Sequence, residues 1–234
     1  MRRALRIIGA VLIAAGLLTL AWAVLVWQWQ DPFTSLYTHF EQRRLASSYD
    51  ERFKAFKPLD VAGASFADER RAIAREAAAY RRASKEGEAI GRIKVPRLSL
   101  NMILVNGTDH DSLKKGPGRD PRTGMPGEGR LVYVAGHRTT YLAPFSHIDS
   151  LRPGDHVTIE LPYATFLYRV TGHRIVPSDD LAVLRSRGRE ELVLQACHPR
   201  FFATHRYLAY AVPIRVTPRG NGPVLSGAAL ALGR

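Results

Sequence analysis

Cys197 is the only cysteine in the chain, so it has no internal disulfide partner. A lone cysteine is in the plain case a buried small hydrophobe. Two features of its surroundings point to chemistry instead. The apolar run Leu192-Val193-Leu194 leads through Gln195 and Ala196 and stops at Cys197, which places the thiol at a strand end. His198, Arg200 and Arg206 follow closely, and nearby positive charge favours the nucleophilic thiolate. Such a nucleophile needs a group to handle protons and a donor for developing oxyanion charge.

A second apolar run, Leu131-Val132-Tyr133-Val134, ends at Ala135-Gly136-His137-Arg138, and Arg206 opens a third, residues 207–212. A histidine just past one strand, a cysteine at the end of another and an arginine entering a third are the expected parts of a thiol site, since such groups meet in space rather than in sequence. His198 is the competing proton carrier. Neighbouring residues on an extended backbone point to opposite sides, which disfavours it. His147, His156, His173 and His205 lack metal-ligand spacing such as H-E-x-x-H, so no metal site is expected, and no cofactor. Reference pKa values of about 8.5 for a thiol and 6.5 for an imidazole leave little thiolate–imidazolium pair at neutral pH, and slow turnover is the expectation.

These stretches resemble the sortases, membrane-anchored cysteine transpeptidases of Gram-positive bacteria. The resemblance rests on Ala135-Gly136-His137-Arg138-Thr139-Thr140-Tyr141, on Ala143-Pro144-Phe145, and on Cys197-His198-Pro199-Arg200 with Arg206 nine positions after the cysteine. The His-Pro pair after the cysteine is most similar to class E sortases of actinobacteria. The likeness covers roughly residues 89–216. Ala196 stands where the family usually has threonine, which removes any substrate contact made by that hydroxyl.

The resemblance implies a closed eight-stranded β-barrel and a catalytic set of His137, Cys197 and Arg206. Cys197 would attack a peptide carbonyl, His137 would protonate the leaving amine, and Arg206 would hold the substrate or the oxyanion. Tyr141, Ala196 and His198 are the expected substrate-binding residues, although Tyr141 fits ordinary core packing equally well. The implied donors are secreted proteins bearing a C-terminal Leu-Pro/Ala-x-Thr-Gly sorting signal, cut between Thr and Gly. The implied acceptor is an amine on a lipid II-like cell-wall precursor. A pilin polymerase and a catalytically idle sortase-like peptide-binding module are the alternatives.

The elements that must position these groups follow in order. Arg2, Arg3 and Arg6 precede residues 7–27, which carry no charge and are long enough to cross a bilayer core of about 30 Å. Trp22, Trp27 and Trp29 gather at the far end, as aromatic rings do at a membrane interface. The arginines imply a cytoplasmic N-terminus, a single pass and an extracellular remainder, with membrane lipid as a partner. The rival reading, signal cleavage near Ala21-Trp22-Ala23, fits less well because the apolar run continues through Val24-Leu25-Val26.

Asp31-Pro32 reads as a helix start. Phe33, Leu36, Tyr37, Phe40, Leu45, Tyr49, Phe53 and Phe56 then recur at helical spacing. Residues 66–85 predict a second, mostly exposed helix. From residue 89 the pattern changes to short strands at 90–95, 100–105, 131–134, 156–161, 163–176, 191–196 and 207–216, which argues for a barrel or sandwich. Residues 116–129 have loop composition, and no phosphate-cradling G-x-x-x-x-G-K-[ST] motif occurs.

The expected division is a cytoplasmic stub and anchor (1–30), a helical stalk (31–88), a mainly β catalytic domain (89–217) and a disordered tail (218–234). The net charge of +13 fits an anionic surround of headgroups or wall polymers. Nucleic acid is not an expected partner, because the charge is dispersed and no recognition motif appears.

Overall fold

The structure is a computed structural model that describes residues 2–28, 32–61, 63 and 65–231. Helix α1 spans Arg2–Gln28, and its Arg2–Val24 window, of mean hydropathy 2.4, is long and apolar enough to cross a membrane. Trp29 and Asp31, assigned above to an aromatic belt and a helix cap, lie outside the described residues, as does the Trp27 side chain.

Strands β1 (Ala89–Val95), β2 (Leu100–Asn106), β3 (Gly118–Arg119), β4 (Leu131–Ala135), β5 (His156–Glu160), β6 (Ala164–Pro177), β7 (Glu191–His198) and β8 (His205–Pro218) pair in the order β6-β5-β1-β2-β3-β4-β7-β8. The long β6 and β8 then pair with each other, so the sheet closes into an eight-stranded barrel. Closure leaves no open barrel edge to aggregate. β6 carries a register shift against β8 between Val170 and Gly172. The eighth strand, β3, is only two residues long and lies inside the glycine-rich stretch read as loop. Arg119 of β3 is 1% exposed. Its guanidinium donates to Asn106 Oδ1 and to the carbonyls of Asp120, Thr123 and Gly124, which pins the loop that follows.

Strand alternation sorts the side chains. Val132 and Val134 of β4, Leu192, Leu194 and Ala196 of β7, and Tyr207, Ala209 and Ala211 of β8 face the central core. The intervening residues Leu131, Tyr133, Ala135, Val193 and Leu208 form a separate cluster on the outer wall.

The helices before the barrel, read as a stalk, pack against it. Helix α2 (Pro32–Ala55) docks through Thr38, Gln42, Leu45 and Tyr49, spaced four, three and four apart. Thr38 donates to Lys114 O (2.7 Å). Gln42 pairs with both backbone groups of Ile103, accepting from N (2.7 Å) and donating to O (3.1 Å), so its amide acts as a strand neighbour for β2. Tyr49 is buried and donates to Glu160 O (3.0 Å). The apolar stripe read from the sequence therefore divides. Leu45 and Tyr49 are covered, whereas Phe33, Leu36, Tyr37 and Phe40 remain exposed.

Helix α3 (Phe66–Ala83) is capped by Ser65, whose Oγ accepts from Asp68 N. Expected to be mostly exposed, it instead buries Ile73 and Ala77 in the barrel core. A boundary at residue 89 thus cuts through a shared core. The tail expected to be disordered also departs from that reading: β9 (Leu225–Ser226) pairs with β8, and Leu225 is 1% exposed.

Removing the Tyr49 ring tests the docking of α2. Tyr49→Ala is expected to destabilise the protein by about 3–5 kcal/mol, the range for large aromatic truncations. Tyr49→Phe loses only one hydrogen bond and is expected to cost about 1 kcal/mol. Urea unfolding of the two variants checks the order. Equal midpoints for wild type and Tyr49→Ala would mean that α2 is not held by this contact.

Candidate active site

The outer wall of the barrel carries the candidate catalytic groups. β4 and β7 run parallel with Ala135 opposite Gln195, and Gly136 N–H continues the ladder to Gln195 O (3.0 Å). His137 therefore lies just past the end of β4, level with Cys197. β7 and β8 are antiparallel with Cys197 opposite Arg206. Alternation puts Gln195 and Cys197 on the same wall as Tyr133 and Leu208. His137, Cys197 and Arg206 thus form one row across adjacent backbones, each about 5 Å from the next. All three line one groove of about 250 Å³.

His137 is set by its neighbours. A Cβ on Gly136 would lie 2.6 Å from the Phe145 ring, so only glycine allows Phe145 to close over this turn. Phe145 N–H in turn donates to His137 O (3.1 Å). The imidazole Nε2 is buried without a hydrogen-bond partner among the described residues. Burial, with a smaller push from His110, lowers the His137 pKa below its ordinary 6.5. The ring packs against Tyr141, with centroids 5.0 Å apart.

Arg206 donates through Nη1 to Ala203 O (2.7 Å) and His205 O (3.0 Å), which anchors one edge of the guanidinium. Cys197 is a half-buried free thiol. An oriented thiol, imidazole and guanidinium along one groove can attack a carbonyl, return a proton to a leaving group and carry oxyanion charge.

The other expected substrate residues divide. Tyr141 packs on the His137 ring but is not among the residues that line the groove. Ala196 is fully buried in the barrel core. His198 also lies away from the row. Its Nδ1 is 3.0 Å from Arg138 Nη1, and the buried Arg138 also donates to Cys197 O (3.3 Å) and Asp149 Oδ2 (2.6 Å). His198 therefore belongs to a cluster that braces the end of β7.

The groove also contains residues the sequence reading did not single out. Leu181, Val183 and Leu184, from the short 3-10 turn Leu181–Leu184, give it an apolar side. Asp120 and Arg122, also in its lining, form an ion pair (2.6 Å). Burial opposes the charge on Asp120, yet the Arg122 guanidinium and its backbone N–H hold the carboxyl below its ordinary range. Both residues fall in the stretch marked as loop by composition, where nothing in the spacing distinguished them.

A closed eight-stranded barrel with this groove on its outer wall is the architecture of sortases. The sequence agrees: the Sortase domain model matches residues 93–214, and the chain belongs to the sortase family of cysteine transpeptidases. It is 28% identical over 165 residues to Sortase D of Bacillus subtilis (strain 168), covering 69% of this chain and 79% of that one. Sortase SrtE1 of Streptomyces coelicolor is 29% identical over 99 residues, 38% of this chain and 28% of the other. Among solved structures, sortase E from Streptomyces avermitilis superposes with a TM-score of 0.53 at 29% identity, covering 62% of this chain and 99% of that one. A Clostridium perfringens Sortase D5 transpeptidase shares the fold, with a TM-score of 0.59 at 21% identity, over 74% of this chain and 98% of the other.

Proposed function

We propose that this protein is a membrane-anchored sortase of class E type. It would cleave a Leu-Pro/Ala-x-Thr-Gly signal between Thr and Gly and join the new carboxyl end to a cell-wall amine. The observation that carries the reading is the single row of His137, Cys197 and Arg206 along one groove.

The Cys197 thiolate attacks the threonine carbonyl carbon, and the carbonyl electrons move onto oxygen. Arg206 donates to that oxyanion. As the C–N bond breaks, His137 gives its proton to the departing glycine amine, leaving a thioester. An incoming amine on a lipid II-like precursor attacks the thioester, His137 takes up its proton, and the thiolate is expelled. The apolar wall of Leu181, Val183 and Leu184 suits the leucine of the signal.

Helix α1 is the anchor, with Arg2, Arg3 and Arg6 on the cytoplasmic side and the barrel outside the cell. Residues 31–88 and 89–217 then act as a helical collar and a catalytic domain. Class E is read from Cys197-His198-Pro199-Arg200. The longer alignment with Sortase D favours a class D relation as a second reading.

A library of fluorescent peptides varied at the second signal position, offered to the full chain in detergent, tests both the activity and the class. Thr–Gly cleavage with alanine preferred at that position is the expected result. Absence of cleavage across the library, with Cys197 still open to iodoacetamide, would overturn the reading.

A further inference from the structure

Helix α2 reaches the His137 loop from outside the barrel. Thr34 Oγ1 accepts a hydrogen bond from Tyr141 N–H (3.1 Å). Tyr37, three residues along, sets its ring edge-on to the Tyr141 ring, with centroids 6.4 Å apart and planes at 76°. Tyr141 in turn packs on the His137 imidazole at 5.0 Å and 38°. Tyr141 thus bridges the helix to the imidazole.

The loop is of a kind that needs outside support. Tyr141, Leu142 and Ala143 have φ of 54°, 59° and 36°. None is glycine, and three consecutive non-glycine residues in the left-handed region persist only where their surroundings over-determine them. The turn closes on itself through Ala143 N–H to Thr140 O (2.8 Å) and Phe145 N–H to His137 O (3.1 Å). The Tyr141 N–H points out of it and is held by Thr34. His137 Nε2 is buried without a hydrogen-bond partner among the described residues, so packing against Tyr141, rather than a hydrogen bond at that nitrogen, sets the ring's orientation.

We propose that Thr34 and Tyr37 are positioning residues for His137: they hold Tyr141 against the imidazole and so align it with the amine that leaves. This rests on the sortase reading of the site. Thr34 and Tyr37 lie early in α2, which begins at Pro32, four residues after α1 ends at Gln28. The helix that follows the apolar span is thereby a working part of the active site. Leaving-group protonation depends steeply on such alignment, and a displacement of about 1 Å can cost about 100-fold in rate.

The test compares two reactions of Cys197 in the full chain in detergent. Acylation by a Leu-Ala-x-Thr-Gly peptide expels an amine and needs His137 in place. Alkylation by iodoacetamide expels iodide and needs no proton. Thr34→Val is expected to slow single-turnover acylation about 10-fold, leave KM within about twofold and leave alkylation unchanged. Thr34→Ser, which keeps the hydroxyl, is expected to restore the rate, and Tyr37→Leu to reproduce the defect. Acylation at the wild-type rate in Thr34→Val would overturn the proposal. So would acylation and alkylation falling together, since that describes loss of structure.

A third measurement is independent of any peptide. The His137 Cε1–H resonance, assigned by its loss in His137→Ala, senses the ring current of Tyr141. It is expected to shift in Thr34→Val and to return in Thr34→Ser. An unmoved resonance overturns the positioning role even if the enzyme proves to act on a different signal. A wild-type chain that alkylates but is acylated by no sorting peptide fails the functional reading instead, and leaves the resonance to decide the role of Thr34.

Discussion

Cys197→Ala is expected to abolish acyl-enzyme formation. The protein has no other thiol, and the row on the barrel wall offers no other nucleophile in line with His137 and Arg206. Half-buried at the end of β7, the side chain can shrink to a methyl group with a stability change of about 0.5 kcal/mol, as at sites remote from the core. Folding and chemistry therefore separate. Intact-mass analysis after incubation with a sorting peptide and no acceptor should show a thioester adduct on the wild type and none on the variant. Wild-type peptide turnover by Cys197→Ala would remove the thiol from the mechanism altogether.

His137→Ala is expected to slow acylation about 100- to 10,000-fold, the usual contribution of a positioned general acid. His198→Ala is expected to cost far less, because that ring is engaged with Arg138 behind the strand rather than in the groove. The two variants also differ in their pH profiles. The competent form pairs a thiolate with an imidazolium, so the profile is a bell whose limbs belong to the coupled pair. Burial lowers the His137 pKa, which places the acid limb of the wild type below 6.5. Acylation should rise through that limb as the first proton leaves the pair, then fall once the second has gone. In His137→Ala the limb set by the imidazole should disappear, whereas His198→Ala should keep it. An inactive His198→Ala beside an active His137→Ala would reverse the assignment of the acid.

The order of effects expected of Ala196 follows from the same alternation. It faces the core between Leu194 and Tyr207, so its departure from the family's usual threonine changes barrel packing and not the groove surface. The sequence motif placed it beside the nucleophile, and the period-two geometry of the strand turned it to the opposite side.

Much of the site was legible in the chain alone. Apolar runs that stop at His137 and Cys197, and one that starts after Arg206, mark strand ends, and strand ends are where a barrel can expose polar groups. The seven longer strands were legible for the same reason, since half-buried strands alternate and end at turn residues. The eighth was not. Gly118–Arg119 is too short to carry a period, and it is a strand only because β2 and β4 come to lie on either side of it. The polar contacts that dock α2 were hidden for a related reason: Thr38 and Gln42 are polar, and their partners are backbone groups of Lys114 and Ile103, far away in sequence.

The sequence by itself determined the chemistry available: one thiol, a histidine and an arginine at the ends of apolar runs, and an uncharged N-terminal span. These are local facts, fixed by residue type and period. Only the tertiary structure decided which groups meet. Register across β4, β7 and β8 set His137, Cys197 and Arg206 in one row and turned Ala196 and His198 away. The packing of α2 brought Thr34 and Tyr37 to Tyr141 across more than a hundred residues, because contacts between distant segments depend on how surfaces fit and not on spacing along the chain.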